Sequence, residues 1–246
     1  MVGTGQAFER VGHRGAPHAF PANTLRSFQA ARDFGCTMVE CDVRLSRDGV
    51  LVLAHDPAVR NPASEERVVA EHTQAELSAF DLGAGEGPAT LEHLVDWIRS
   101  AGTHLMVDMK CEGGPEAGPV EKRIADLLSD VPREHKCVSG ASPASRRRFR
   151  EADPDLPLLL SVSRSEALPN IDDTLNDIFA SWTERDVDGV SWQHPLITAE
   201  RVAILHGKGA RVFAWTVDDL ETMRRLLACG VDGITSNRAD LFAVLV

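Results

Sequence analysis

Residues 38–56 read Met38-Val39-Glu40-Cys41-Asp42-Val43-Arg44-Leu45-Ser46-Arg47-Asp48-Gly49-Val50-Leu51-Val52-Leu53-Ala54-His55-Asp56. Two apolar runs, 38–43 and 50–55, flank the turn Ser46-Arg47-Asp48-Gly49. Side chains on a strand alternate between its faces. Glu40 and Asp42 therefore share a face with Met38, and Cys41 points the opposite way. Charged groups on a buried strand are costly unless they are paired or bind a cation. A salt-bridged pair of surface acids is the plain alternative, and the Val39 and Val43 flanks count against it. By the same alternation His55 ends the row Leu51, Leu53.

A four-residue turn is too short for a parallel crossover. The 50–55 run is therefore either an extension of the strand before it or a hairpin at that strand's mouth. Further candidate strands lie at 9–12, 104–110, 136–139, 156–161, 189–192, 211–216 and 233–235. Helical periodicity lies between them: Leu25, Phe28 and Ala31 in one stretch, and Leu91, Leu94, Val95 and Ile98 in another. The 218–229 stretch opens on Asp218, an N-cap type of residue, and stops at Gly230. Strands alternating with helices imply βαβ units and a parallel sheet. The 246 residues fit one large domain and the ~250 typical of a TIM (β/α)8 barrel. Nine candidate strands are one more than eight, and 50–55 is the extra one. Residues 57–88 have no clean period and carry Pro, Gly and charge. They read as a small insertion after the second strand, on the barrel face, rather than a separately folding domain.

The net charge of −11 argues against nucleic acid, whose binders present a basic stripe, and against an anionic membrane surface. It leaves room for a small anionic substrate, because a few cations at one site invert the local field. Five cysteines are an odd, scattered set without C-x-x-C, which disfavours a zinc knuckle or a redox pair. They read as free thiols of a reducing compartment. The first ten residues lack the apolar core of a signal peptide. No apolar run approaches the ~20 residues of a membrane span. A cytoplasmic protein with no stable membrane anchor is expected. Arg146-Arg147-Arg148 reads as a solvated helix face.

His13, with Arg14 beside it, ends the first candidate strand much as His55, beside Asp56, ends the 50–55 run. A lone strand-end histidine is most often a satisfied core or loop residue. Two of them bracketing a carboxylate pair can move a proton in each direction. Asp108-Met109-Lys110 repeats the i, i+2 arrangement, offering a third metal oxygen and a phosphate contact, or else an ordinary salt bridge. Trp215 is either an apolar wall at the mouth or packing. Two histidines with a hard cation suit phosphodiester cleavage. The remaining histidines lack partners at ligand spacing, although His194, before Pro195, could reach the mouth. No H-x-H or H-x-x-x-H pattern supports a histidine-bound zinc.

Taken in order, these pieces resemble the glycerophosphodiester phosphodiesterases. His13-Arg14-Gly15 with Pro21-Ala22-Asn23-Thr24 is similar to that family's H-R-G…P-E-N-T, and Glu40-Cys41-Asp42-Val43…Asp48-Gly49…His55-Asp56 to its E-x-D-V…D-G…H-D. Pro88-Ala89-Thr90-Leu91-Glu92, Asp108-Met109-Lys110, Trp215-Thr216-Val217 and Gly230-Val231-Asp232-Gly233-Ile234 resemble later landmarks. The ordered set covers nearly the whole chain. The resemblance implies a TIM barrel with an insertion after the second strand. It implies His13 and His55 as general acid and base, and Glu40, Asp42 and Asp108 as ligands of Ca²⁺ or Mg²⁺. Arg14 and Lys110 would hold the phosphate, and Trp215, as an apolar wall, remains a candidate substrate contact beside them. The implied reaction is hydrolysis of a small-molecule glycerophosphodiester to glycerol 3-phosphate and an alcohol.

Three positions depart from the family pattern. Asp108 replaces the usual Glu and is about 1.5 Å shorter on standard bond lengths. Ala22 replaces the Glu of P-E-N-T, and Ser236-Asn237 replace Thr-Asp. A sphingomyelinase D-like or lysophospholipase D-like enzyme acting on a lipid is the alternative activity. Its ligand set, closer to Glu, Asp, Asp, would match Asp108. A non-catalytic phosphodiester-binding barrel is the alternative without chemistry.

Overall fold

The computed structural model describes residues 8–110, 120–163 and 187–245. Cys111, one of the five cysteines, lies outside them. Among the described residues the strands are β1 Glu9–His13, β2 Met38–Leu45, β3 Leu51–Leu53, β4 Ala58–Arg60, β5 Glu66–Val68, β6 His104–Met109, β7 Lys136–Ser139, β8 Leu159–Val162, β9 Gly189–Gln193, β10 Arg211–Trp215 and β11 Gly233–Ser236. Eight of these run parallel in the order β7-β6-β2-β1-β11-β10-β9-β8. The two ends approach one another where Val138 N–H donates to Pro157 O at 2.9 Å, so the sheet nearly closes into a barrel. That circular order is also chain order, as expected of a TIM (β/α)8 barrel. β8 begins later than the 156–161 run implies. Residue 158 makes only an isolated bridge, and the ladder with β9 starts at Leu159.

β3 is the ninth strand. It pairs antiparallel with β2, Val43 opposite Leu53 and Leu45 opposite Leu51, which decides for the hairpin. The strand stops at Leu53, so His55 stands beyond it. Residues 57–88 lack a period because their elements are too short to show one: the β4–β5 hairpin, a 3-10 turn at Val69–Glu71 and the helix α2, Gln74–Ser78. A small core of Val52, Ala54, Val59, Val69, Leu77 and Phe80 seats this excursion on β3.

The other α-helices among the described residues are α1 Leu25–Asp33, α3 Leu91–Ala101, α4 Val120–Leu128, α5 Pro143–Ala152, α6 Ala199–Gly207 and α7 Leu220–Cys229. Thr24 and Thr90 cap α1 and α3 by accepting from the N–H groups of Ser27 and His93. α7 is capped by Asp219, one residue later than the sequence reading, and Asp218 is engaged elsewhere. α5 corrects another expectation. Of its arginine run only Arg147 is exposed; Arg146 is buried against Ala141 O, and Arg148 reaches the Glu121 carboxylate at 2.6 Å. None of the described helices is long and apolar enough to cross a membrane.

All six residues of 38–43 are buried, as both faces of a barrel strand must be. Val39, Cys41 and Val43 face the helix layer. Inside the barrel, Val11, Met38, Met106, Cys137, Leu159 and Phe213 form a separate apolar plug. The plug closes the barrel interior, so the next inward residue on each strand lines a cavity at the C-terminal ends. Phe213 is its largest member and is fully buried. Phe213→Ala is expected to cost about 3–5 kcal/mol, as buried Phe truncations do, which a urea titration of the purified protein would measure.

Candidate active site

β1 delivers His13 and then turns sharply. Arg14 and Gly15 both take positive φ, at 56° and 90°. At Gly15 a Cβ would run into the Ser27 main chain, so only glycine lets the turn press against α1. The Ser27 hydroxyl ties the turn down, accepting from Ala16 N–H at 2.8 Å and donating to Arg14 O at 3.1 Å. Asn23, also at positive φ, donates its own N–H to Arg14 O.

β2 and β6 deliver the carboxylates. Asp42 and Asp108 are register partners on neighbouring strands, and Glu40 lies two residues before Asp42. One oxygen from each of Glu40, Asp42 and Asp108 falls within 4.8 Å of the others. Burial, and then the charges of Asp42 and Asp108, push the Glu40 carboxyl well above the usual range. Cations and amides surround the cluster. Arg14 Nε lies 2.9 Å from Asp42 Oδ2, and Lys110 Nζ lies 2.6 Å from Asp108 Oδ2 and 3.4 Å from Asp42 Oδ1. Burial alone would lower the Lys110 ammonium; the charge and hydrogen bond of Asp108, with Asp42 and Glu40, hold it above its ordinary value. Arg14 N–H donates to Glu40 Oε2 at 3.0 Å. Asn23 brackets Asp42, donating from Nδ2 to Oδ2 at 3.0 Å and accepting the Asp42 N–H at 3.2 Å. The Ser139 hydroxyl donates to Asp108 Oδ1 at 3.2 Å.

The set suits a hard divalent cation, which takes carboxylate oxygens as ligands. Asp42 Oδ1 supports the fit directly: it is buried and accepts no hydrogen bond. The shorter Asp108 still reaches the cluster, because β6 places it opposite Asp42.

The two histidines approach this cluster from different supports. His13 Nδ1 is 2.7 Å from Asn237 Oδ1, and its Nε2 is 3.9 Å from Glu40 Oε2. Burial, then the charge of Arg14, lowers the His13 imidazole below its ordinary value. His55 Nδ1 donates to Asp56 Oδ1 at 2.8 Å, and that hydrogen bond holds the Asp56 carboxyl below the usual range. Arg44 fixes the main chain there, donating from Nε and Nη2 to His55 O at 2.9 and 2.7 Å and from Nη1 to Lys110 O at 3.3 Å.

All of His13, Arg14, Glu40, His55, Asp108, Lys110 and Trp215 line one cavity of about 210 Å³, and Asp42 sits against its wall through Arg14 and Lys110. Hydroxyls from β7, β8, β9 and β11 (Ser139, Ser161, Ser191 and Thr235) complete the lining, and that of Ser139 adjoins the charged cluster through Asp108. Trp215 is a wall, held by its indole N–H donating to Ser191 O at 2.8 Å. His194 does not line the cavity. The sequence reading placed none of Asn23, Arg44, Asp218 or Asn237 in the site: it took Asp218 for a helix cap and noted Asn23 and Asn237 only within P-A-N-T and the Ser236-Asn237 departure, while Arg44 carries no local signal.

The model of the glycerophosphoryl diester phosphodiesterase family matches residues 13–241. The chain belongs to that family. The glycerophosphodiester phosphodiesterase of Caldanaerobacter subterraneus is 27% identical over 248 residues, covering 96% of each chain. An Oleispira antarctica phosphodiesterase solved with the product sn-glycerol-3-phosphate has a TM-score of 0.78 at 23% identity and covers 96% of each chain. The glycerophosphodiester phosphodiesterase of Thermotoga maritima has a TM-score of 0.74 at 21% identity, covering 98% of this chain and 99% of that one. These two solved structures share the barrel with the present family member.

Gly140 follows Ser139 at a φ of 71°, and a Cβ there would collide with Asp108 Oδ1 and stand 2.8 Å from Met109 O. Gly140→Ala is therefore expected to displace Asp108. Divalent-ion affinity, measured by calorimetric titration, should fall roughly 10–100-fold, as it does when a ligand loses its support. Unchanged affinity would show that Asp108 does not depend on this clearance.

Proposed function

We propose that this family member hydrolyses small glycerophosphodiesters to glycerol 3-phosphate and an alcohol. The observation that carries the reading is the meeting of His13, His55 and three carboxylates around one cavity, with Arg14 and Lys110 at its edge. The diester's phosphate binds between Arg14 and Lys110, whose charges suit it. The glycerol hydroxyl next to the ester attacks phosphorus. One histidine takes that hydroxyl's proton, and the other gives a proton to the departing alcohol oxygen. The new oxygen–phosphorus bond closes a cyclic phosphate as the bond to the alcohol breaks. Water then opens the ring, the histidines exchange roles, and glycerol 3-phosphate leaves. Glu40, Asp42 and Asp108 hold Ca²⁺ or Mg²⁺, which when bound supplies a Lewis acid against the charge developing on the phosphoryl oxygens. Trp215 packs against the substrate's carbon skeleton.

His13→Ala and His55→Ala are each expected to lower kcat by ~10²–10⁴, the range of general acid–base catalysis, in a coupled assay for glycerol 3-phosphate released from glycerophosphocholine. Chelation with EDTA should abolish turnover, and Ca²⁺ or Mg²⁺ should restore it. If lysophosphatidylcholine yields choline or a cyclic phosphate while glycerophosphocholine yields no glycerol 3-phosphate, the lipid-directed activity replaces this one.

A further inference from the structure

The loop after β11 carries Asn237, and its side chain joins His13 to Asp218 in the loop between β10 and α7. Asn237 Nδ2 is 2.8 Å from Asp218 Oδ2. The Asn237 main-chain N–H donates to Asp218 Oδ1 at 2.8 Å, and the Ser236 hydroxyl donates to the same oxygen at 3.1 Å. A carboxylate only accepts, so its contact with the amide fixes which end of that amide faces it. The NH₂ group must point to Asp218, and the carbonyl oxygen must then point to His13. An amide carbonyl also only accepts. The 2.7 Å contact with His13 Nδ1 is consequently a hydrogen bond donated by the ring. The proton of the neutral imidazole sits on Nδ1, and Nε2 is bare on the cavity side, too far from Glu40 Oε2 at 3.9 Å to share a proton with it.

We propose that Asn237, oriented by Asp218, is a positioning residue that fixes the His13 proton on Nδ1 and keeps Nε2 as a proton acceptor facing the substrate. The role rests on the proposed acid–base function of His13. A half-turn of the Asn237 amide would present NH₂ to Nδ1 and leave no acceptor for its proton. The ring would then carry its proton on Nε2, aimed at the substrate, and the acceptor would be lost. Asp218 blocks that half-turn. This explains why Asp218 does not cap α7: its two oxygens are taken by Ser236 and Asn237, and Asp219 accepts the Thr222 N–H instead.

Imidazole ¹⁵N–¹H correlation spectra of ¹⁵N-histidine-labelled protein with Mg²⁺ present test the proposal, the His13 signals being assigned by their loss in His13→Gln. The wild type should show Nδ1 protonated and Nε2 bare. In Asn237→Leu that preference should be lost and kcat should fall roughly 10²-fold or more, within the range of acid–base catalysis, while KM changes by less than about threefold. Asp218→Asn removes the partner that orients the amide and should lower kcat in the same way. Combining Asp218→Asn with Asn237→Asp rebuilds the network with its polarity reversed: the carboxylate now at position 237 accepts from His13 Nδ1 and from the amide now at position 218. The double variant should recover kcat to within about tenfold of wild type and restore the Nδ1 proton. A wild-type ring protonated on Nε2, or an Asn237→Leu kcat within twofold of wild type, overturns the proposal. If Asn237→Leu does not fold, the wild-type spectrum and the double variant decide. Absence of turnover by wild type would defeat the acid–base reading, while the spectrum would still report the tautomer.

Discussion

Three carboxylates on β2 and β6, with an oxygen of each held within 4.8 Å of the others, repel each other, and the surrounding structure is arranged to balance that repulsion. Arg14 and Lys110 bring positive charge to it, Asn23 brackets Asp42 from both sides, and a main-chain N–H meets Glu40. The balance is incomplete, since Glu40 stays displaced toward its protonated form and one Asp42 oxygen accepts no hydrogen bond. A site that fails to neutralise itself is open to a cation. Even the strained turn at Arg14 serves this end, because its positive φ turns the Arg14 N–H toward Glu40 while the side chain returns to Asp42. Strain of this kind persists where the surroundings over-determine it.

The barrel supplies the division of labour. Inward positions of eight strands converge on one opening, and the plug of Val11, Met38, Met106, Cys137, Leu159 and Phe213 sets its floor. Strands β1, β2 and β6 bring the ionisable groups, whereas β7, β8, β9 and β11 bring hydroxyls. The cavity of this glycerophosphodiester phosphodiesterase family member is thus charged on one side and neutral but hydrogen-bonding on the other. That asymmetry suits a ligand with an anionic phosphate at one end and alcohol groups at the other.

Much of this was legible in the chain because strands have a period of two. Glu40 and Asp42 declare their shared face by spacing alone, and acids inside the valine-flanked strand 38–43 need a reason to be there. Asp108 and Lys110 repeat the signal. What stayed hidden depends on contacts between distant segments. Asp218 resembles an ordinary helix cap until Asn237, 19 positions later, is seen to occupy it. Arg44 lies just past the candidate strand 38–43 and carries no signal of its own, yet its guanidinium is found on the carbonyls of His55 and Lys110. Arg146 is charged by sequence yet buried by the packing of α5. Short elements were hidden for another reason: three-residue strands such as β4 and β5 are too brief to establish a period.

The β2–β3 hairpin also governs how the length of this chain can drift. His55 owes its place to the register of Val43 with Leu53 and to the turn closed by Ser46 N–H and Val50 O. One residue gained or lost in that turn would slip the register and send each β3 side chain to the opposite face, carrying His55 off the cavity. The excursion at 57–88 begins after His55 and rests on its own small core. Additions there leave the histidine's perch as it was. Growth is thus open on the downstream side of His55 and closed on the upstream side.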